Sequence, residues 1–122
     1  FNYINGMNLR YRGRCIECRF DRANLVGMDG ERSSWENCSL EGANLRGAKL
    51  FKAQFRSCNL RNTSFNYAFL VSTSFRNSDI RGASFSESLL GFNDFTGAIF
   101  DDTTVLPFSR AEALSRKMVL QK

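Results

Sequence analysis

Histidine is absent from the sequence, which removes the side chain that most often serves as general base and metal ligand near neutral pH. No apolar run approaches the roughly 18 residues of a membrane-spanning helix, so no membrane span is expected. No nucleophile stands beside a base and no carboxylate pair marks a cleft. The glycines Gly42, Gly47, Gly82 and Gly97 are spread over turn positions rather than gathered into a phosphate-cradling loop. Asp101 and Asp102 are adjacent, but they stand where a turn or cap role suffices. These absences predict a protein that is not an enzyme and has no cofactor, no catalytic residue and no metal site. The chain begins at Phe1 rather than Met, so it reads as a processed chain, a trimmed one or a piece of something larger, and any targeting signal ahead of it is not legible.

Acidic residues are the minority, 12 against 17 Lys and Arg, giving +5 over 122 residues. A charge of about 2–8 is ordinary for a small soluble domain, so mixed surface charge is expected. Clustering of the basic residues on one face would favour acidic partners.

What the sequence does contain is a period. Residues 18 to 105 follow one continuous five-residue repeat. Every fifth residue from Phe20 to Phe100 is apolar except Gly30, and most are Leu or Phe. Two residues before each stands a small residue, as in Cys18, Ala23, Ser33, Cys38, Ala43 and Thr63, with Met28 and Asn93 the exceptions. A large and a small residue two apart face the same side of an extended backbone, so both series point inward. A period of five fits neither a helix nor a long strand, so the chain must turn once per repeat. Four turns close a coil of about twenty residues whose backbone pairs with the coils above and below.

Ala23-Asn24-Leu25, Ala43-Asn44-Leu45-Arg46-Gly47 and Ala48-Lys49-Leu50 resemble the pentapeptide-repeat family. That resemblance implies an all-β solenoid, a right-handed quadrilateral parallel β-helix, here of about five coils with a short C-terminal α-helix. Residues 1–106 are assigned to the β-helix and 107–122 to a capping or dimerisation helix. Ile4 and Leu9 fit the period, and Phe20 lies eleven beyond Leu9, which predicts an irregular first coil over 1–17 with one residue inserted near Tyr11 to Arg14. Met28 and Gly30 break both series together, which predicts a bulged or looped repeat over Val26 to Ser34.

Residues twenty apart become neighbours at about 4.8 Å. Trp35, Phe55, Phe75 and Phe95 then form an aromatic column, and Leu50, Leu70 and Leu90 another. Cys18, Cys38 and Cys58 share a third, where reduced thiols serve as small apolar residues. Cys15-x-x-Cys18 lacks a second pair, so zinc or redox chemistry is not expected. Reduced core cysteines lean towards a cytoplasmic location.

Outside, Glu36, Arg56 and Arg76 stack in one column and Glu41, Arg61 and Arg81 in the next. They predict an ion-pair ladder, with Arg56, Arg61, Arg76 and Arg81 as a candidate basic stripe. Apolar residues in outward positions, namely Phe51, Tyr67, Phe69, Val71, Leu89 and Phe92, form a candidate interaction wall awaiting a partner or the chain's own tail. Ser109 and Glu112 suggest a capping box for a helix through about Leu120, with Ala111, Leu114 and Met118 as its docking side.

The leading functional reading is a protein-interaction or scaffold module with a protein partner, a homodimer being one form. The resemblance also implies a second reading, because some pentapeptide-repeat proteins, those conferring quinolone resistance, resemble duplex DNA and bind gyrase. That mimicry needs negative charge, and of the residues preceding the inward large ones only Asp29, Asp79 and Asp94 are acidic. Binding of nucleic acid or an acidic partner through the arginine stripe is the third. No aromatics are interleaved with that stripe, so nucleic acid is not expected.

Overall fold

The computed structural model describes residues 3–122. The first two positions of the irregular coil assigned to 1–17 lie outside the described residues. In each regular repeat the inward large residue opens a four-residue turn. Its carbonyl accepts the amide three residues on, as in Ala43 N to Leu40 O at 2.9 Å and Ala48 N to Leu45 O at 3.0 Å. The third residue of the turn has left-handed φ, 70° at Gly42 and 69° at Gly47, which is what a type II turn requires.

Between turns the backbone is extended for too short a distance to pair along its length. It pairs vertically instead. Leu25 N donates to Asn44 O at 2.8 Å and Asn44 N to Ala23 O at 2.9 Å. Parallel bridges link Asn24, Asn44, Ser64 and Ser84 in succession, so one coil is twenty residues. Where the extended segments lengthen they form strands β1 (Arg14–Ile16), β2 (Ser34–Glu36) and β3 (Gln54–Arg56), a parallel sheet in that order. Strand β4 (Ile99–Phe100) follows in the last coil.

The large series fills the axis. Trp35, Phe55, Phe75 and Phe95 stack nearly parallel, with ring centroids 5.9, 5.6 and 5.2 Å apart. Phe65 and Phe85 form a second stack at 5.1 Å, and rings of the two stacks meet edge to face, as Phe65 and Phe75 do at 5.3 Å. Offset and T-shaped contacts are both favourable for aromatic quadrupoles.

The small series does more than save space. Thr63 Oγ1 donates to Leu40 O at 2.8 Å, Thr73 Oγ1 to Leu50 O at 2.6 Å and Ser78 Oγ to Phe55 O at 2.8 Å. Each of these three satisfies a carbonyl of the preceding coil, while Ser33 Oγ donates to Gly30 O of its own turn at 2.6 Å, which is why hydroxyls are tolerated in this core.

Four details depart from the sequence expectations. Asn5 bridges Asn24 and Arg10 bridges Asp29 at an offset of nineteen, whereas Arg14 pairs with Ser34 at twenty. The first coil is therefore one residue short between Arg10 and Arg14, not one residue long. Gly6 and Tyr11 take the inward large positions, and Ile4 and Leu9 stay partly exposed. Second, Val26 to Ser34 is neither bulged nor looped. Met28 is fully buried and its Cε lies 3.0 Å from where a Gly30 Cβ would stand, so a large residue in the small place fills the gap left by glycine in the large place.

Third, Asp79 bridges Ile99 at twenty but Ser84 bridges Val105 at twenty-one. The period slips by one residue after Phe100, so Leu106 packs inward and Val105 is exposed. Fourth, helix α1 (Arg110–Ser115) is shorter than expected. Ser109 caps it by accepting from Glu112 N, but Glu112 pairs with Arg116 instead of completing the box. The chain then turns at Lys117, φ 65°, into strand β5 (Val119–Leu120), which pairs with β4. Ala111 and Leu114 face solvent; Ala113, Met118 and Phe108 make the contacts, Phe108 meeting Phe95 edge-on at 5.5 Å. The tail thus lies across the last coil and not over the apolar wall.

Candidate functional site

The fold presents three groupings, two on its outer faces and one within. The first is the wall. Phe51 and Phe69 pack ring on ring at 5.9 Å and are half-buried together with Val71. Tyr67 is exposed but lies under the Arg46 guanidinium at 4.3 Å, a cation–π contact. Leu89 is 55% and Phe92 94% exposed. Tyr67 and Phe92 also hold φ of 59° and 56°, the turn position that glycine or asparagine fills without strain. For a bulky side chain that conformation costs about 1–2 kcal/mol. Phe92 combines strained backbone with an unburied ring, and its place in the turn was not evident from the apolar pattern alone.

The second grouping is the basic stripe. Arg61 pairs with Glu41 at 2.8 Å, as the ladder predicts. Glu36, however, pairs with Arg14 from the coil on its other side, at 3.2 Å, and not with Arg56. Arg76 pairs with Asp94 at 3.2 Å and Arg81 with Asp79 through two bonds of 2.9 and 2.6 Å. Among the described residues Arg56 alone of the four has no ion-pair partner, so the stripe is mostly neutralised within the chain.

Beside it runs an open groove of about 430 Å³ lined by Tyr3, Asp21, Ser39, Glu41, Asn59 and Arg61. Its carboxylates are already engaged. Burial alone would raise Asp21, but the Ser39 hydroxyl and Arg19 outweigh it and hold the group below the usual carboxylate range. The Asn59 amide and Arg61 do the same for Glu41. At Asp79 burial is again opposed and overcome by Arg81, and Asp94 and Asp101 are lowered chiefly by Thr96 and Thr103. None of these groups is tuned towards a proton-transfer role at neutral pH.

A depressed folded-state pKa contributes stability that is fully present above the unfolded value and lost as pH falls through the folded one. Thermal melting followed by circular dichroism is expected to be flat from pH 7 to about 5 and to fall steeply below about pH 4. An unchanged midpoint at the acid end would show that these pairs add nothing to folding.

The third grouping is sulfur. Counting back five from Phe20 lands on Cys15, which pairs with Trp35 at the foot of the aromatic column. Residues that open and close one turn are close in space, and Cys15 and Cys18 are joined by a disulfide with Cα atoms 5.8 Å apart. This corrects the expectation of a reduced Cys18 and removes two of the four cysteines from the case for a cytoplasmic location. Cys38 and Cys58 are free and buried. Burial pushes the Cys58 thiol up to about 12, and it donates to Trp35 O at 3.2 Å.

No helix among the described residues is long and apolar enough to cross a membrane. No curated protein matches the sequence. A trypsin-treated variant of QnrB1, a plasmid-mediated fluoroquinolone resistance protein, has a similar fold, with TM-score 0.62 and 18% identity over 83% of this chain and 57% of that one. The chain thus spans little more than half of that protein. Rfr23, a pentapeptide repeat protein from the cyanobacterium Cyanothece 51142, gives TM-score 0.60 and 17% identity over 89% and 88%. At such identities the likeness is one of fold. Residues 28–105 match the pentapeptide repeat region family, and with the twenty-residue coil and its two inward series this chain belongs to the pentapeptide-repeat proteins.

Proposed function

We propose that this chain is a non-enzymatic interaction module that docks a protein partner through the corner formed by Leu89 and Phe92, with Tyr67 and the half-buried Phe51, Phe69 and Val71 behind it. The observation that carries this is Phe92, a residue 94% exposed on a left-handed backbone. It has both a conformational and a solvation cost, and no intramolecular contact offsets either. Aromatic side chains of this kind anchor interfaces when a partner buries them. The reading includes a right-handed, four-sided helix of about five coils over 1–106, closed at one end by 107–122.

Replacing Phe92 with Gly is expected to stabilise the fold by about 0.5–1 kcal/mol, relief of the left-handed strain being partly offset by the freedom glycine adds to the unfolded chain. The same change combined with Leu89→Ser is expected to abolish partner binding. Chemical denaturation measures the first effect. Sedimentation of the purified chain and affinity capture from its native extract, each comparing the two proteins, measure the second. A halved mass in the variant identifies a second copy as the partner; identical mass and identical captured proteins would sink the reading.

Gyrase binding is the second reading, and the fold likeness to QnrB1 favours it. The arginine-rich outer rows weigh against it, since DNA mimicry rests on negative charge. With three of the four stripe arginines already paired to carboxylates, binding of nucleic acid through that stripe has the least support.

A further inference from the structure

The sulfur cluster at the first coil goes beyond the docking reading and is independent of it. The Sγ atoms of Cys15, Cys18 and Cys38 all lie within 4.8 Å of one another. Along the chain a lone C-x-x-C lacks a further ligand. The fold supplies one, because Cys18 and Cys38 are one coil apart in the same column. Three further observations set this place apart from ordinary core. Cys15 stands where Trp35, Phe55, Phe75 and Phe95 fill the axis in the coils above, which brings a sulfur in from the large series as well as the small. The small positions that continue the cysteine column are Ser78 and Ala98, so packing there does not demand sulfur. Finally, the Cys18 backbone amide donates to Cys38 Sγ at 3.4 Å and the Cys38 thiol donates to Cys15 O at 3.3 Å, so this sulfur is held against both ends of the C-x-x-C turn.

We propose that Cys15, Cys18 and Cys38, once reduced, form a three-thiolate site for a thiophilic closed-shell metal ion such as Zn²⁺, and that the Cys15–Cys18 disulfide is its metal-free, closed state. Zinc–sulfur bonds of about 2.3 Å place tetrahedral sulfurs roughly 3.8 Å apart, within reach of the present cluster once the disulfide opens. Opening breaks the S–S bond with two electrons, either from a dithiol, which gives up its two protons and becomes a disulfide, or from a phosphine, which becomes the phosphine oxide while water supplies the oxygen and the two protons; both routes leave two thiols. Binding then releases three protons, one from each cysteine, as three metal–sulfur bonds form. The fourth position is left to water or an external ligand. Cys58 is no candidate, since its sulfur is not among those gathered within 4.8 Å of one another. Strand β1 is the edge of its sheet and Cys18 is only part-buried, which provides a path for the ion.

The test uses the whole chain, reduced with a phosphine under anaerobic conditions and titrated with Zn²⁺ or Cd²⁺ alone. One ion per chain is expected, with an ultraviolet cadmium–thiolate charge-transfer band, and none in the oxidised chain. Cys38→Ser should weaken binding at least about 100-fold, beyond the roughly 10–100-fold typical of outer-shell losses. Cys58→Ser should leave it unchanged. Serine is native to that column at Ser78, so both variants should fold, with Cys38→Ala as a second form and circular dichroism as the check. No uptake by the reduced chain, equal uptake by the oxidised chain, or native affinity in Cys38→Ser would each overturn the proposal.

Discussion

Truncating Phe75 to alanine is expected to destabilise the fold by about 3–5 kcal/mol, the range for removing a fully buried aromatic core side chain. Phe75 has no exposed surface. It stacks between Phe55 and Phe95 at 5.6 and 5.2 Å and meets the edges of Phe65 and Phe85, each at 5.3 Å. Its loss opens a gap in its own stack and removes the edge contacts it makes to both rings of the other. The neighbouring rings cannot close it, because every coil is held at a fixed height by the backbone ladder, so little of the cavity relaxes. Urea denaturation followed by the Trp35 fluorescence and by circular dichroism measures the change. A loss below about 1 kcal/mol would mean that the rings do not share a continuous core.

The second large effect concerns Met28 and Gly30, and it is a test of compensation. Met28→Ala alone should cost about 2–5 kcal/mol by leaving a cavity beside a glycine that cannot fill it. Gly30→Leu alone should cost about 1–3 kcal/mol or more by overpacking, since a Cβ there would lie 2.8 Å from Leu50 Cδ2 and 3.0 Å from Met28 Cε. Together the two changes restore the small-then-large order of the other repeats. The double variant is therefore expected within about 1 kcal/mol of the native chain, a strongly non-additive cycle. The φ of Gly30 is not left-handed, so leucine meets no backbone objection. Additive losses would show that the two residues are not coupled through one space.

These two cases also separate what could be read along the chain from what could not. The aromatic column was legible because a period of five that keeps its register from Phe20 to Phe100, Gly30 notwithstanding, dictates which residues share a column. At the ends the same rule misled. Ile4 and Leu9 match the five-residue spacing by coincidence, whereas register is decided by backbone pairing of Asn5 with Asn24 and Arg10 with Asp29, which apolar counting does not see. Past Phe100 the five-residue count lands on Val105, whereas the backbone register turns Leu106 inward. The helix was over-extended because its apolar spacing continues past Ser115. The open backbone of the last coil gains more from pairing with Val119 and Leu120 than those residues gain from another helical turn.

The candidate sites divide along a similar line. The apolar wall was legible as residues in outward positions, but not that Phe51 and Phe69 shield each other, or that Phe92 stands on a strained turn with nothing against it. The arginine stripe was legible as a column, but its neutralisation was not, because Arg76 and Arg81 are paired to Asp94 and Asp79 at turn edges whose side-chain directions no period specifies.

The sequence by itself determined the coil, its twenty-residue rise and the occupants of its axis. Alternating large and small inward residues require one turn every five residues and stacking at twenty, without setting the hand of the coil. Only the tertiary structure decided the register of the first coil, the slip after Phe100, the capping strand and the gathering of Cys15, Cys18 and Cys38. Each depends on hydrogen bonds or contacts between neighbouring coils, and those form only when the chain has closed upon itself.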